Sequence, residues 1–168
     1  MNKRFLLNPI AQLVALLLLA SCGEDKKSPT EELPDTLFQG EYNETEMDSA
    51  MAEARKTLSH FREALESGTG KSHAVKVAIH DGEDTEHFWL TDVSPVGEGF
   101  KGTLNNKPGI VSNVSFGDEV NATGKNISDW MYMLDEKMYG NYTLRVMLPN
   151  MPADEAEFYK SKLAPLPK

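Results

Sequence analysis

The chain has only one cysteine, Cys22, among its 168 residues. A single thiol cannot form an intrachain disulfide, and it excludes a cysteine-rich zinc site or an iron–sulfur cluster held by this chain. Positive charge is also scarce, because 17 lysines and arginines stand against 26 aspartates and glutamates and leave a formal charge of −9. Phosphate backbones repel a protein of this charge, so the composition argues against a nucleic-acid partner.

A long hydrophobic run is missing as well. The apolar stretch over residues 5–20 is interrupted by polar and proline positions and is shorter than the roughly 20 residues that span a bilayer. It follows the basic pair Lys3-Arg4 and ends in Leu19-Ala20-Ser21-Cys22. This order is typical of a secretion signal cut before a cysteine that receives lipid. It resembles the lipobox of bacterial lipoproteins more closely than a transmembrane anchor or an ordinary A-x-A cleavage site.

The sequence therefore predicts three parts: a signal peptide over residues 1–21, a flexible tether over 22–44 that starts with the lipidated Cys22, and one domain over 45–168. The expected lipid on Cys22 is palmitate or another fatty acyl chain. Loss of Lys3 and Arg4 with the signal changes the formal charge from −9 to −11. The residue after Cys22 is Gly23 and not aspartate. In this position the sequence resembles enterobacterial lipoproteins that are sorted to the outer membrane. We expect a bacterial envelope protein, anchored by its lipid in the outer membrane and facing the periplasm.

Hydrophobic periodicity predicts an α+β domain. An amphipathic helix is expected over residues 46–67, capped by Thr45 and stopped at Gly68, and a short helix over 153–163. Period-two alternation and turn residues predict short strands at 73–80, 86–93, 100–104, 119–123, 127–134 and 142–148. Residues 111–114 fit a brief strand or a loop, and a helix over 130–137 is the alternative for that stretch. Many short strands separated by turns predict a strongly bent antiparallel sheet or a small barrel.

Two aromatic and acidic segments stand out as sites for chemistry, Glu86-His87-Phe88-Trp89 and Ile127-Ser128-Asp129-Trp130-Met131-Tyr132. Their tryptophans fit core positions or a ligand-binding face. A hydrolase would need His87 to act with Asp129 or Ser128, although no G-x-S-x-G elbow surrounds the serine. No catalytic residue is assigned on this basis.

Other motifs have simpler interpretations. His80 and His87 flank an acidic turn, but nothing in their spacing aligns them for a metal, so we expect solvated turn residues and no metal site. The G-x-G-x-x-G run over residues 97–102 has no crossover helix after it, and a hairpin turn explains it better than a nucleotide site. No cofactor is expected.

In order along residues 45–165, several motifs together resemble one known family, the YegJ-like proteins or domain of unknown function 2314. The motifs are Ala54-Arg55-x-Thr57-Leu58, Val75-Lys76-Val77, Glu86-His87-Phe88-Trp89-Leu90, Gly102-x-Leu104-x-Asn106-x-Pro108, Gly117-Asp118, Ile127-Ser128-Asp129-Trp130-Met131, Gly140 and Thr143-Leu144-Arg145. The resemblance implies no activity. It implies an envelope location, since some members are bacterial envelope proteins.

The function that these observations favour is a non-enzymatic binding module on a lipid-anchored envelope protein. The unknown partner is a protein or a small molecule, and the alternatives are the hydrolase above and an immunity-like protein that blocks a toxin. We expect the functional face to include His87, Trp89, Asn106, Asp129, Trp130 and Arg145. In this hypothesis Asp129 pairs with Arg145, and the tryptophans exclude water.

Overall fold

A computed structural model describes residues 42–167, and the predicted signal peptide, Cys22 and the tether up to residue 41 lie outside the described residues. Two helices open the domain, α1 Glu44–Lys56 and α2 Leu58–Ser67. Six strands follow: β1 Lys71–Asp81, β2 Asp84–Val96, β3 Gly99–Leu104, β4 Glu119–Ala122, β5 Ile127–Leu134 and β6 Lys137–Gly140. The C-terminal part contains α3 Tyr142–Met147, a short 3-10 helix Leu148–Asn150 and α4 Ala153–Lys162.

The strands form one antiparallel sheet in the order β4-β3-β2-β1-β5-β6. The sheet is open, because β4 and β6 stand at opposite ends of this order. The prediction of an α+β fold with an antiparallel sheet and a helix at each end is confirmed, and the barrel alternative is wrong. Val75 and Val77 point from β1 into the main core, which also contains Phe61 of α2. One face of the sheet therefore packs against the N-terminal helices.

The single N-terminal helix predicted over 46–67 is two helices that meet at Thr57. The Thr57 hydroxyl donates to the carbonyls of Glu53 and Ala54, and the Trp130 indole N–H donates to the Ala54 carbonyl at 2.9 Å. These bonds compete with the regular helix ladder and explain the break. The predicted Thr45 cap is also wrong, because Asn43 accepts the hydrogen bond from the Glu46 amide. Gly68 ends α2 in the left-handed conformation, as predicted.

The strand predicted over 142–148 is wrong, because this segment begins with the helix α3. Its first amides are bound by a carboxylate from β5, as described below, which satisfies donors that a new helix leaves without partners. The strand over 127–134 is confirmed as β5, so the helical alternative for 130–137 is wrong. Within residues 42–167, no helix combines the length and apolarity needed to cross a membrane.

Candidate functional site

Two of the strand residues predicted for the functional face, Trp89 and Asp129, lie beside Lys76 on β1. This strand lies between β2 and β5, so Lys76 is directly opposite Trp89 on one side and Asp129 on the other. Its Nζ lies 5.6 Å from the centroid of the Trp89 ring, which is a cation–π distance. Burial lowers the pKa of Lys76, and the charge of Asp129 opposes this shift. The sheet thus unites two predicted residues with a lysine that the sequence analysis did not select.

The Asp129 side chain is fully buried and accepts four hydrogen bonds. Its Oδ1 accepts from the amides of Trp130 and Tyr142 at 2.8 and 3.1 Å. Its Oδ2 accepts from the amide and the hydroxyl of Thr143 at 2.8 and 2.7 Å. Burial raises the pKa of Asp129, while the hydrogen bonds from Thr143 and Trp130 and the charge of Lys76 act in the opposite direction. Both oxygens therefore hold the start of α3.

His87 lies within hydrogen-bond distance of Ser128, since its Nδ1 is 2.9 Å from the serine Oγ. Surrounding groups that displace water lower the pKa of His87 to about 4, and the nearby Lys76 and His80 act in the same direction. The imidazole is therefore neutral near pH 7, as a general base must be. Ser128, however, is only 2% exposed, so its hydroxyl is closed off from a substrate in solution.

Trp130 and Arg145 do not join this group. Trp130 is opposite Val75, one position along β1 from Lys76, so its ring points to the helix face while Trp89 points to the other face. Arg145 donates to the carbonyls of Gly140 and Ala164, at 3.3 and 2.6 Å from its Nη2. Among the described residues it forms no ion pair with Asp129, so that part of the hypothesis is wrong.

Asn106 connects the sheet to the segment between β3 and β4, residues 105–118, which we call the Ω-loop. The Asn106 side-chain oxygen accepts from the Trp89 amide at 3.0 Å. The two ends of the loop are joined, because Leu104 donates to the carbonyl of Asp118 and accepts from the amide of Gly117, both at 2.9 Å. Compact loops of about 6–16 residues with joined ends are frequently functional. No strand forms at residues 111–114, so the loop interpretation holds for that segment.

Glu86 fixes the Ω-loop to β2. Its side chain is 6% exposed and accepts from the consecutive amides of Gly109, Ile110 and Val111, the shortest of these bonds being 2.9 Å, from Ile110. A carboxylate that receives hydrogen bonds from several backbone amides holds a loop more strongly than a neutral acceptor would. The sequence analysis quoted Glu86 within its motif but did not predict this role. The signal was an acidic residue in phase with the core residues Phe88 and Leu90, on the same buried side of β2.

A second set of bonds ties the Ω-loop to the end of the β1–β2 hairpin. Asp81 accepts from the amide and the hydroxyl of Ser112 at 2.8 and 2.7 Å, and the Asn113 side chain donates to the His80 carbonyl at 2.8 Å. The Ser112 bonds lower the pKa of Asp81. Two large apolar side chains of the same loop remain in solvent, Ile110 at 53% and Phe116 at 54% exposure.

The structure brings together no metal-ligand set at the acidic turn. In the part of the chain that the structure describes, no group of three His, Cys, Asp or Glu side chains is placed to hold a metal ion. The His80 ring instead lies 2.7 Å from the Thr85 hydroxyl across the same turn.

Comparison with known proteins places most of the folded chain in a family. Residues 44–164 match the family model described as "Uncharacterized protein conserved in bacteria (DUF2314)". The "Uncharacterized protein YegJ" of Escherichia coli strain K12 is 42% identical over 132 residues, which cover 79% of this chain and 86% of that protein. The "Putative ankyrin repeat protein" of Neisseria meningitidis serogroup B is 34% identical over 112 residues, 61% of this chain and 44% of that protein. No solved structure gives a significant match.

Proposed function

This chain belongs to the bacterial DUF2314 family, and we propose that it is a lipid-anchored envelope protein whose domain binds a partner without catalysis. The proposal has two parts, an anchor at Cys22 and a binding surface on the domain. Each part rests on different residues and has its own test.

The anchor rests on the N-terminal sequence. A basic pair, an apolar stretch and Leu19-Ala20-Ser21-Cys22 occur in the order that a lipoprotein signal requires. A single acyl chain holds a protein on a membrane only marginally, whereas two chains give stable attachment, so diacylated Cys22 is sufficient. The acidic body adds no attraction to an anionic bilayer. With Gly23 in the next position, we assign the protein to the periplasmic side of the outer membrane.

The binding role rests chiefly on one observation: the Ω-loop is held in place by Glu86 while Ile110 and Phe116 face solvent. A loop that is already ordered loses little conformational entropy when it binds, so more of its contact energy contributes to affinity. Loops that lack regular structure but are fixed on a rigid scaffold commonly carry binding function.

The Neisseria relative supports the same conclusion. This chain matches 44% of that longer protein, whose name assigns it ankyrin repeats. Ankyrin repeats stack into extended concave surfaces that bind other molecules. A domain that occurs in a protein named for such repeats fits a binding module.

The anchor is tested by mass and by labelling. Native protein extracted with detergent should begin at Cys22 and carry the mass of its acyl chains, and it should incorporate radioactive palmitate. The Cys22→Ala variant should lose the label and leave the outer-membrane fraction. An unmodified Cys22, or a mature chain that retains residues 1–21, contradicts the anchor.

The binding role is tested by isolating the full-length lipidated protein from detergent-solubilised envelopes at low salt. We expect a single partner at a reproducible stoichiometry, identified by mass spectrometry and then shown to bind as a purified component. A purified candidate that does not bind, or recovery of the chain alone after chemical crosslinking, contradicts it.

One observation favours a second candidate, a serine hydrolase: the 2.9 Å distance between His87 Nδ1 and Ser128 Oγ. This candidate requires Ser128 to become accessible. A fluorophosphonate probe that reacts with activated serines distinguishes the two functions. We expect equal, negligible labelling of the native protein and of Ser128→Ala, whereas labelling that this substitution abolishes would establish the hydrolase.

A further inference from the structure

We propose that the Ω-loop docks a basic protein, with Ile110 and Phe116 as the apolar anchors and the acidic β1–β2 turn as the charged rim. This inference deepens the proposed binding function by naming the surface and the chemistry of its partner.

The exposure of the two anchors is a specific feature of the loop. Val111 and Val114 of the same loop pack in or against the main core, so the loop is well attached through its apolar side chains. Ile110 and Phe116 nonetheless stay more than half exposed. Large apolar side chains presented by an ordered segment are the usual centre of a protein interface, and aromatic residues contribute most to its affinity.

Charge complementarity identifies the partner as basic. The hydrogen bonds between Asp81 and Ser112 bring the β1–β2 turn, with its exposed Glu83 and Asp84, against the loop. The Ser112 bonds also hold the pKa of Asp81 below its usual range, so this carboxylate remains charged. The loop itself adds Asp118 and a single base, Lys107.

The same negative charge disfavours a second copy of this chain, or an anionic lipid surface, as the partner of the Ω-loop. A second copy would bring an identical acidic rim against this one, since the whole chain carries a formal charge of −9. An anionic lipid surface would be repelled for the same reason. The partner that fits both features is a cationic protein with an apolar pocket, which would receive the two anchors while its positive charge faces the acidic rim.

Site-specific photocrosslinking in living cells tests the surface. Benzoylphenylalanine replaces Ile110 or Phe116 in the full-length lipidated protein. Matched control positions are Val96, which is 48% exposed, and Phe158, which is 57% exposed. We expect both Ω-loop positions, and neither control, to form one adduct with a protein whose isoelectric point exceeds about 8, since a partner of this acidic rim must be cationic at neutral pH.

Several crosslinking outcomes would contradict the proposal that the Ω-loop is the docking surface. An adduct of twice the chain mass would identify a second copy, and a small mass increment would identify a lipid. An adduct with an acidic protein would contradict the charge argument. Adducts only at other positions would overturn this surface and leave the binding function standing, whereas no adduct from any position would contradict both.

Affinity measurements with the crosslinked partner, once purified, complete the test. Phe116→Ser should weaken binding about 30-fold, the loss typical of a central aromatic anchor, while Phe158→Ser should change it less than about twofold. The double variant Glu83→Lys/Asp84→Lys should slow association, and added salt should slow association of the unmodified protein. Unchanged thermal melting shows that each variant is folded. Equal affinities of the Phe116 and Phe158 variants would refute the proposal.

Discussion

Asp129 accepts hydrogen bonds from both the amide and the hydroxyl of Thr143, a residue 14 positions further along the chain. The same carboxylate also accepts the Tyr142 amide, so β5 supplies the cap of α3. The residue that precedes this helix, Asn141, makes no capping hydrogen bond through its own side chain. A helix with only two turns gains little stability by itself, so its position depends on this buried contact.

Replacing Asp129 by asparagine should destabilise the domain strongly. The amide has one acceptor oxygen, so its nitrogen must face N–H groups that also donate, and buried donors remain unsatisfied. We expect Asp129→Asn to lower the free energy of unfolding by about 3 kcal/mol, the usual cost of disrupting a buried charged network. Urea denaturation measures the loss. Glu63→Gln, at an exposed position of α2, is the control and should change stability by less than about 0.5 kcal/mol.

Glu86→Gln should loosen the Ω-loop without unfolding the sheet. The neutral side chain keeps one oxygen for three amides and loses the charge that strengthens their bonds, at a cost of about 1–3 kcal/mol. Hydrogen exchange of residues 109–111 should accelerate, while exchange in β5 should stay slow. Equal protection of residues 109–111 in the variant and the natural protein would show that Glu86 does not hold the loop.

Two glycines with positive φ provide a matched pair for substitution. Gly140 and Gly68 have φ of +78° and +69°, so alanine is strained by about 1–2 kcal/mol at either position. A Cβ at Gly140 would also collide with the Trp130 carbonyl and lie 2.6 Å from its ring, whereas at Gly68 it meets nothing within 4 Å. Gly140→Ala should therefore cost about 3 kcal/mol or more, and Gly68→Ala about 1 kcal/mol. Similar thermal melting of the two variants would contradict this packing.

Stability should fall as the pH is lowered through the titration of His87. The pKa of His87 is about 4 in the folded protein, compared with its ordinary value of 6.5, so the unfolded chain binds the proton first. The free energy of unfolding should decrease as the pH falls from about 6.5 to 4 and level off with respect to this group below that range. His87→Gln should reduce the slope measured by urea denaturation across that range. An unchanged slope would mean that the folded protein accommodates the protonated ring.

Periodicity was sufficient to predict most of the sheet. The strand alternation around Val75 and Val77 depends on residues that are close in the sequence, and so do the turn signals between strands. Both can therefore be predicted from the local sequence. The prediction failed where a distant residue decides the structure. Residues 142–148 have a pattern suited to a strand, but Asp129 binds the amides of Tyr142 and Thr143 and starts a helix there.

Only some residues of the candidate site were predictable from the sequence, and their contacts were not. The register of three strands is needed to place Lys76 between Trp89 and Asp129, and no spacing in the sequence specifies it. The proximity of His87 to Ser128 likewise depends on two strands that are not adjacent in the sheet. The function of Glu86 depends on the path of a loop that begins well beyond β2, which hydrophobic patterning does not encode.

The pairing of β1 with β5 shifts by one residue at Ser128, because Val77 faces Ile127 while the next position, Lys76, faces Asp129. Deleting Ser128 would keep both of these pairings and make the ladder regular, whereas a deletion or insertion at a regularly paired residue of β5 would turn every side chain beyond it to the opposite face. Natural insertions and deletions should therefore be absent from the regularly paired residues of β5 in homologous genes. They should collect instead at the exposed Gly97-Glu98 turn, where a change in length alters no pairing on either side.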